Sequence, residues 1–341
     1  MLRCMSTPTQ LLLRDHLLTA GMRRGQIDHM VRSGRWIRLH DGIYVNAALD
    51  EQERRETEVR GHLHRCGPTA LLSHHSAAGI HGLDTTLSRP DGTWIAVTHN
   101  QRMRLPNVQL TRSVKLRPDD VDSVDGWPVT GRARTVLDLA SHLEDRELER
   151  VLESALRGPN PGRPDLWRPD VLAATECFAN GDRRIPGAGA LARVLALRPT
   201  GCRPTGSIGE TAVVQALRDA GISGVIRQPT ITVVLPDGTI HRLFPDILVG
   251  SVGLILEIDG EAHALPQRRR SDLARQNKLM LGFTIFRYPA TAALFESERI
   301  ATEVADHVHG ARRLGPSWRK PGTTVSGADL AWTLSLAADA A

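Results

Sequence analysis

The chain has 341 residues, 24% charged and 41% hydrophobic, and no apolar run approaches the roughly 18–20 residues that a membrane-spanning helix needs. That length predicts two or three domains of a cytoplasmic protein with no membrane partner. The net charge of +5 is too mild to name nucleic acid as a partner by itself, although all of it lies in the first 120 residues.

The start, Met1-Leu2-Arg3-Cys4-Met5, resembles a secretory signal only weakly, because Arg14 and Asp15 follow Leu11-Leu12-Leu13 at once. Thr7 and Thr9 offer N-caps to a helix over Gln10–Thr19, and Gly21 supplies its stop. A second helix is expected over Gln26–Ser33, with Ile27, Met30 and Val31 on one face and Gly34 as left-handed terminator. Trp36–Leu39 and Ile43–Val45 then read as strands around the turn His40-Asp41-Gly42. Helix, turn, helix and hairpin is the order of a winged helix-turn-helix, here over residues 7–48, with its second helix in the groove.

Six arginines between Arg14 and Arg38 face only Asp15 and Asp28. Arginine clusters hold phosphates while amide and imidazole groups reach base edges. The candidate DNA-binding set is therefore Arg23, Arg24, Gln26, His29, Arg32, Arg35 and Arg38. The alternative is a solvated basic face on a small packing module or a protein–protein adaptor.

The next region, 49–157, opens with a charged helix over Glu51–Cys66, and a further helix begins within Pro68–His75. Strands are expected at Thr93–Thr98 and Val108–Ser113. His74, His75, His81 and His99 have no acidic partner at ligand spacing, and two helical turns separate His74 from His81, so these read as packed or surface histidines. Cys4, Cys66, Cys177 and Cys202 are too scattered for a zinc knuckle or a disulfide framework. Helices dominate from Arg132 to Ala196, interrupted by the Pro/Gly stretch 158–164; a second break at 198–206 marks the domain boundary, leaving 158–204 as a linker with helices.

Residues 205–310 carry the densest chemistry. Ser207 caps a helix over Ile208–Ala220, followed by strands at Thr230–Leu235, His241–Val249 and Leu254–Asp259. A helix over Arg268–Leu281, a strand at Phe283–Arg287 and a helix over Thr291–His309 complete an αβββαβα order. If Ser251-Val252 closes a hairpin, Asp246 lies opposite Glu257, and Asp259 shares their face. Three carboxylates then converge at the end of an apolar strand, with no lysine within ten residues of Glu257 and Arg242 and Arg268 as its nearest arginines in sequence. A hard divalent cation, Mg2+ or Mn2+, held by Asp246, Glu257 and Asp259, would compensate them and activate a water. Ser207-Ile208-Gly209-Glu210 is equally a capping box. Arg268-Arg269-Arg270 suits phosphate contact or an exposed helix start, and Gln276 and Lys278 either reach inward or stay solvated. Residues 311–341 form an Arg/Gly/Pro-rich tail with no functional reading.

Two segments resemble known families. Gly25–Trp36 with Gly42-Ile43-Tyr44, and Arg134-Thr135-Val136-Leu137-Asp138-Leu139-Ala140, resemble the winged-helix and second domains of the AbiEi-type antitoxin family of type IV toxin–antitoxin systems. That resemblance implies operator binding and leaves a cognate toxin as a possible partner. Pro245-Asp246, Glu257-Ile258-Asp259-Gly260, His263 and Asp272-Leu273-Ala274-Arg275 resemble the very-short-patch-repair-like branch of the PD-(D/E)XK nuclease superfamily over about residues 205–310. It implies metal ligation by Asp246 and Glu257, an accessory role for Glu210 and proton transfer by His263. The superfamily's usual lysine, two residues after Glu257, is Asp259 here.

The sequence thus predicts an α+β multidomain protein: an N-terminal winged helix-turn-helix, a helical middle region and a C-terminal restriction-endonuclease-like αβββαβα domain. The expected activity is Mg2+-dependent hydrolysis of double-stranded DNA, with catalytic residues Asp246, Glu257, Asp259, His263 and Glu210. The alternatives are a regulator of the antitoxin type whose nuclease fold is inactive, and a defence adaptor that holds a toxin through its middle helices.

Overall fold

The computed structural model describes residues 11–85, 92–98, 103–112, 116–158, 167–181, 185–234, 240–260, 283–314 and 323–326. The chain is mixed α/β of the α+β kind, and it divides into two compact units, 1–143 with 183–188 and 144–182 with 189–341.

The first unit opens with β1 (Leu11–Leu13), α1 (Arg14–Thr19), α2 (Arg24–Arg32), β2 (Trp36–His40) and β3 (Ile43–Asn46), and its strands pair antiparallel in the order β1-β3-β2. Leu11–Leu13, expected inside a helix, is a strand instead. Its leucines line up with Val45, Tyr44 and Ile43, and this tertiary pairing overrides the helix preference of leucine. The second helix, the Gly34 terminator (φ +71°) and the hairpin stand as expected, with Ile27 the buried anchor of α2. Helix α3 (Glu51–Cys66), capped by Asp50, packs on this sheet at Gly61, where a Cβ would lie 3.2 Å from Leu11 Cδ1 and 3.4 Å from Ile43 Cγ2. The packed module therefore runs past the expected limit at 48.

A second sheet holds β4 (Leu71–Leu72), β5 (Thr93–Val97), β6 (Val108–Arg112), β7 (Val121–Val124) and β8 (Trp127–Thr130) in the order β6-β5-β4-β8-β7. Helices α4 (His74–His81) and α5 (Arg132–Leu139) pack on each other in the same unit. The β7–β8 hairpin was not legible from periodicity, although its turn, Asp125-Gly126, has the positive φ angles at both positions that such pairs favour. The segment Arg134–Ala140 binds this hairpin to α5. Buried Arg134 donates to Asp138 at 2.8 Å and Asp120 at 3.4 Å, while Thr135 Oγ1 donates to the Thr130 carbonyl at 3.0 Å.

The second unit comprises α6 (Asp145–Leu156), α7 (Pro169–Asn180), α8 (Ala188–Ala196), α9 (Ile208–Asp219), β9 (Val225–Arg227), β10 (Thr230–Val234), β11 (Ile240–Leu243), β12 (Ile247–Val249), β13 (Leu254–Asp259), β14 (Thr284–Pro289), α10 (Ala290–Phe295), α11 (Ser297–Leu314) and β15 (Thr323–Ser326). Its main sheet runs β14-β13-β12-β9, with β13 and β14 parallel. The expected strand 241–249 is two strands in two sheets, because Pro245 cannot donate to a ladder and the chain turns there. β15, from the segment read as a tail, pairs with β10 to complete the sheet β11-β10-β15. The last helix is broken at Glu296, and the helix expected over Arg268–Leu281 lies outside the described residues.

Within the second unit, buried ion pairs tie α6 to α9 and β9. Glu149 on α6 accepts from both terminal nitrogens of Arg218 on α9 at 2.8 Å, and from Gln215 at 3.0 Å. Glu153, fully buried on the same helix, accepts from Arg227 of β9 at 2.7 Å, from the Thr205 N–H at 3.1 Å and from Arg198. Below these charges, Val213 and Leu217 of α9 meet Ile247, Val249, Leu254 and Leu256 in the core.

Candidate functional site

The expected DNA-contacting residues Arg23, Arg24, Gln26, His29, Arg32, Arg35 and Arg38 are all exposed on α2, its entry and the β2 hairpin. The side-chain oxygen of Gln26 accepts the Arg23 N–H at 2.8 Å, closing the helix start. Arg32 donates weakly to the Asp28 carbonyl at 3.4 Å.

Of the four histidines read as packed or surface groups, His74 and His81 are buried, His75 is half-buried and His99 lies outside the described residues. His40 Nε2 and His62 Nδ1 lie 2.8 Å apart, His74 stacks on Trp94 with ring centroids 4.8 Å apart, and His81 hydrogen-bonds the Thr130 carbonyl at 2.7 Å. Burial drives the pKa of His62 down to about 4 and that of His74 to about 3, because charging them would strand a cation away from water.

The carboxylate site forms at the C-terminal end of β13. The register Ile247↔Leu256, Leu248↔Ile255 and Val249↔Leu254 matches the expected hairpin and leaves Asp246, one step beyond, level with Glu257. Asp246 Oδ2 accepts the Ile258 N–H at 2.8 Å, which orients this carboxylate across the end of the ladder. Glu257 is buried and Asp259 partly exposed.

The expectation that no basic group faces these carboxylates is overturned. Parallel pairing of β13 with β14 sets Arg287 beside Glu257, and its guanidinium lies 3.7 Å from Glu257 Oε2 and 3.7 Å from Asp259 Oδ2. Sequence distance concealed this partner: thirty residues separate Glu257 from Arg287, and only the sheet register joins them. Among the described residues, no three of His, Cys, Asp and Glu stand together as a ligand set for a metal ion.

Glu210 lies at the start of α9, whose cap is Ser207: its Oγ accepts the Glu210 N–H at 3.1 Å. The Glu210 carboxylate turns back past Ser207, accepting the Gly206 N–H at 2.7 Å and the Gln228 side-chain amide at 2.8 Å. Burial pushes its pKa up against those two donors. Gln228, in turn, donates its own N–H to the Asp246 carbonyl at 2.8 Å and sits at φ +44°, an uncommon backbone state for a non-glycine residue. Gln228 and Arg287 are the two site residues that sequence reasoning missed. Glu210 is joined to Asp246 through Gln228. His263, Arg268, Gln276 and Lys278 lie outside the described residues.

Asp246, Glu257, Asp259 and Arg287 lie at this strand end. Carboxylate oxygens are the donors that a hard divalent cation takes.

No protein-family profile and no curated protein sequence matches the chain. Among solved structures it is similar to the crystal structure of the RV2827C protein from Mycobacterium tuberculosis, at 18% identity, over 60% of this chain and 70% of that one, with a TM-score of 0.35. No helix among the described residues is long and apolar enough to cross a membrane.

Proposed function

We propose that this chain is a cytoplasmic DNA-binding protein whose second unit carries a divalent-metal-dependent centre for hydrolysing DNA phosphodiester bonds. One observation carries the reading: the β12–β13–β14 register brings Asp246, Glu257, Asp259 and Arg287 to one end of a buried strand. A carboxylate buried at the edge of an apolar core, as Glu257 is, costs stability, and clusters of charge in such places are candidates for chemistry. The order β1-β3-β2 around α1 and α2 supports a winged helix-turn-helix, with the exposed arginines of α2 and the hairpin on duplex phosphates. The resemblances to the AbiEi-type antitoxin and very-short-patch-repair-like nuclease families point the same way.

In this reading Asp246 and Glu257 would hold the cation, which would supply Lewis acidity for activating water. Asp246 is aimed by the Ile258 N–H, and its backbone is tied to Gln228 and through it to Glu210. Asp259 keeps the site acidic, and Arg287 offers a permanent positive charge to the substrate phosphate.

The test is cleavage of duplex DNA by the full chain in Mg2+ or Mn2+. Asp246→Asn and Glu257→Gln should each abolish it while binding to DNA persists. Cleavage that survives both substitutions would rule out this centre. A second reading, a transcriptional regulator of the antitoxin type with an inactive nuclease fold, is favoured by the pairing of Glu257 and Asp259 with Arg287, which offsets their charge without a cation. It predicts a sequence-specific operator shift, independent of Mg2+ and of Asp246, with no cleavage.

A further inference from the structure

The first unit holds a cleft of about 1270 Å³ lined by β2, α3, α4 and β5, roomier than the roughly 300–1,000 Å³ of common small-molecule sites. Leu39, Val59 and Ile80 contribute apolar wall. Its charges are unequal once they are paired. Glu51 and Glu58 of α3 line it, but each already faces an arginine one turn away on the same helix, Glu51 with Arg55 and Glu58 with Arg54 at 3.9 Å. Arg38 of β2 is exposed at the cleft, and its guanidinium has no ion-pair or hydrogen-bond partner among the described residues. Two neutral groups in the lining keep hydrogen-bonding capacity. Ser76 Oγ accepts the Trp94 N–H at 2.9 Å, and its own hydroxyl proton has no acceptor among the described residues. His75 is half-buried, with Nδ1 shut away and unpartnered among the described residues. Burial holds its pKa down, so the ring is neutral near pH 7 and its one proton belongs on Nε2, where an acceptor in the cleft can take it.

We propose that this cleft is a binding site for a small organic acid: a carboxylate on an apolar body that carries a second oxygen acceptor. The carboxylate pairs with Arg38, the body lies on Leu39, Val59 and Ile80, and the acceptor oxygen takes the protons of Ser76 and His75. One free cation beside neutral donors matches a single negative charge. A dianion such as a phosphate monoester fits less well, because Glu51 and Glu58 line the same cleft and would repel the second charge. The site lies in the first unit, and the inference does not rest on the hydrolytic activity proposed for the second.

The test uses the full-length protein, with 4-acetylbenzoate as the probe and 4-acetylbenzamide as its uncharged counterpart, each titrated by saturation-transfer NMR. The wild type should bind the acid in the millimolar range that a ligand this small reaches, and about two- to fivefold more tightly than the amide, the preference that one exposed ion pair supplies. Arg38→Gln should abolish the preference and leave the amide's affinity unchanged. Gly79→Leu should weaken both ligands by about tenfold or more, because Gly79 lines the cleft and a Cβ there meets no atom within 4 Å, so the new side chain has the cleft to fill. Leucine is also the better helix former in α4, so the melting temperature of Gly79→Leu should not fall, which separates a blocked site from a lost fold. Absence of wild-type binding, equal affinity for acid and amide, a preference that survives Arg38→Gln, or binding that survives Gly79→Leu would each overturn the proposal.

Discussion

Replacing Glu153 by alanine should destabilise the second unit by about 3–5 kcal/mol, the usual cost of removing one member of a buried ion pair. Its carboxylate is fully buried and holds Arg227 at 2.7 Å, Arg198 and the Thr205 N–H at 3.1 Å. Both arginine side chains are only 5% exposed, so the substitution leaves two cations and a backbone donor with little water to turn to. Arg227 would keep only Glu149, at 4.0 Å. At about 2–4 °C per kcal/mol for a unit of this size, the melting temperature should fall by roughly 6–20 °C. Two units need not unfold together, so the assay is urea-dependent hydrogen exchange read on peptides from α9 and β13. Glu153→Gln, which keeps an acceptor for Thr205, should cost less. Although burial pushes the Glu153 carboxyl up, Arg198 and Arg227 outweigh it and hold its folded pKa below the ordinary value of 4.5. Its stabilisation is therefore complete above pH 4.5 and is lost as the pH falls through the folded pKa. A loss under about 1 kcal/mol in Glu153→Ala would refute the argument, because it would mean that the arginines relax to solvent at little cost.

Gly61→Ala should cost the first unit about 1–3 kcal/mol in thermal unfolding, since the new methyl meets Leu11, Leu39 and Ile43 where α3 lies on the three-stranded sheet. The first unit should also be acid-sensitive. His62 and His74 have folded pKa values of about 4 and 3, below the unfolded 6.5, so each withdraws about 1.4 kcal/mol of stability per pH unit as the pH falls from 6.5 towards those values. An acid titration of unfolding in which His62→Gln and His74→Gln leave the slope unchanged would contradict this. Arg32→Ala and Arg35→Ala should each lower the salt dependence of duplex binding by about one unit, measured by fluorescence anisotropy. Unchanged slopes would remove α2 and the hairpin from the DNA-contacting surface.

Local sequence signals determined much of this protein. Glycines at positive φ ended α2 and α9 at Gly34 and Gly221, where the periodicity stops, and α3 took its full expected length from Glu51 to Cys66. The β12–β13 register followed from the hairpin's length, so the neighbouring positions of Asp246 and Glu257 were readable before any fold was known. Each of these is set by contacts within a few residues or across one short turn.

Tertiary structure decided the rest, because the deciding partners lie far away along the chain. Leu11–Leu13 has the composition of a helix and becomes a strand only because β3 offers an edge. Glu149 and Glu153 of α6 are buried against arginines 45 or more residues later. Two features of the carboxylate site were equally hidden: Arg287 meets Glu257 only through a parallel pairing, and Gln228 joins Glu210 to Asp246 only through a strained backbone turn. A buried charge selects its counter-charge by proximity in space, and nothing in the spacing of residues along one strand encodes which neighbour the sheet will place beside it.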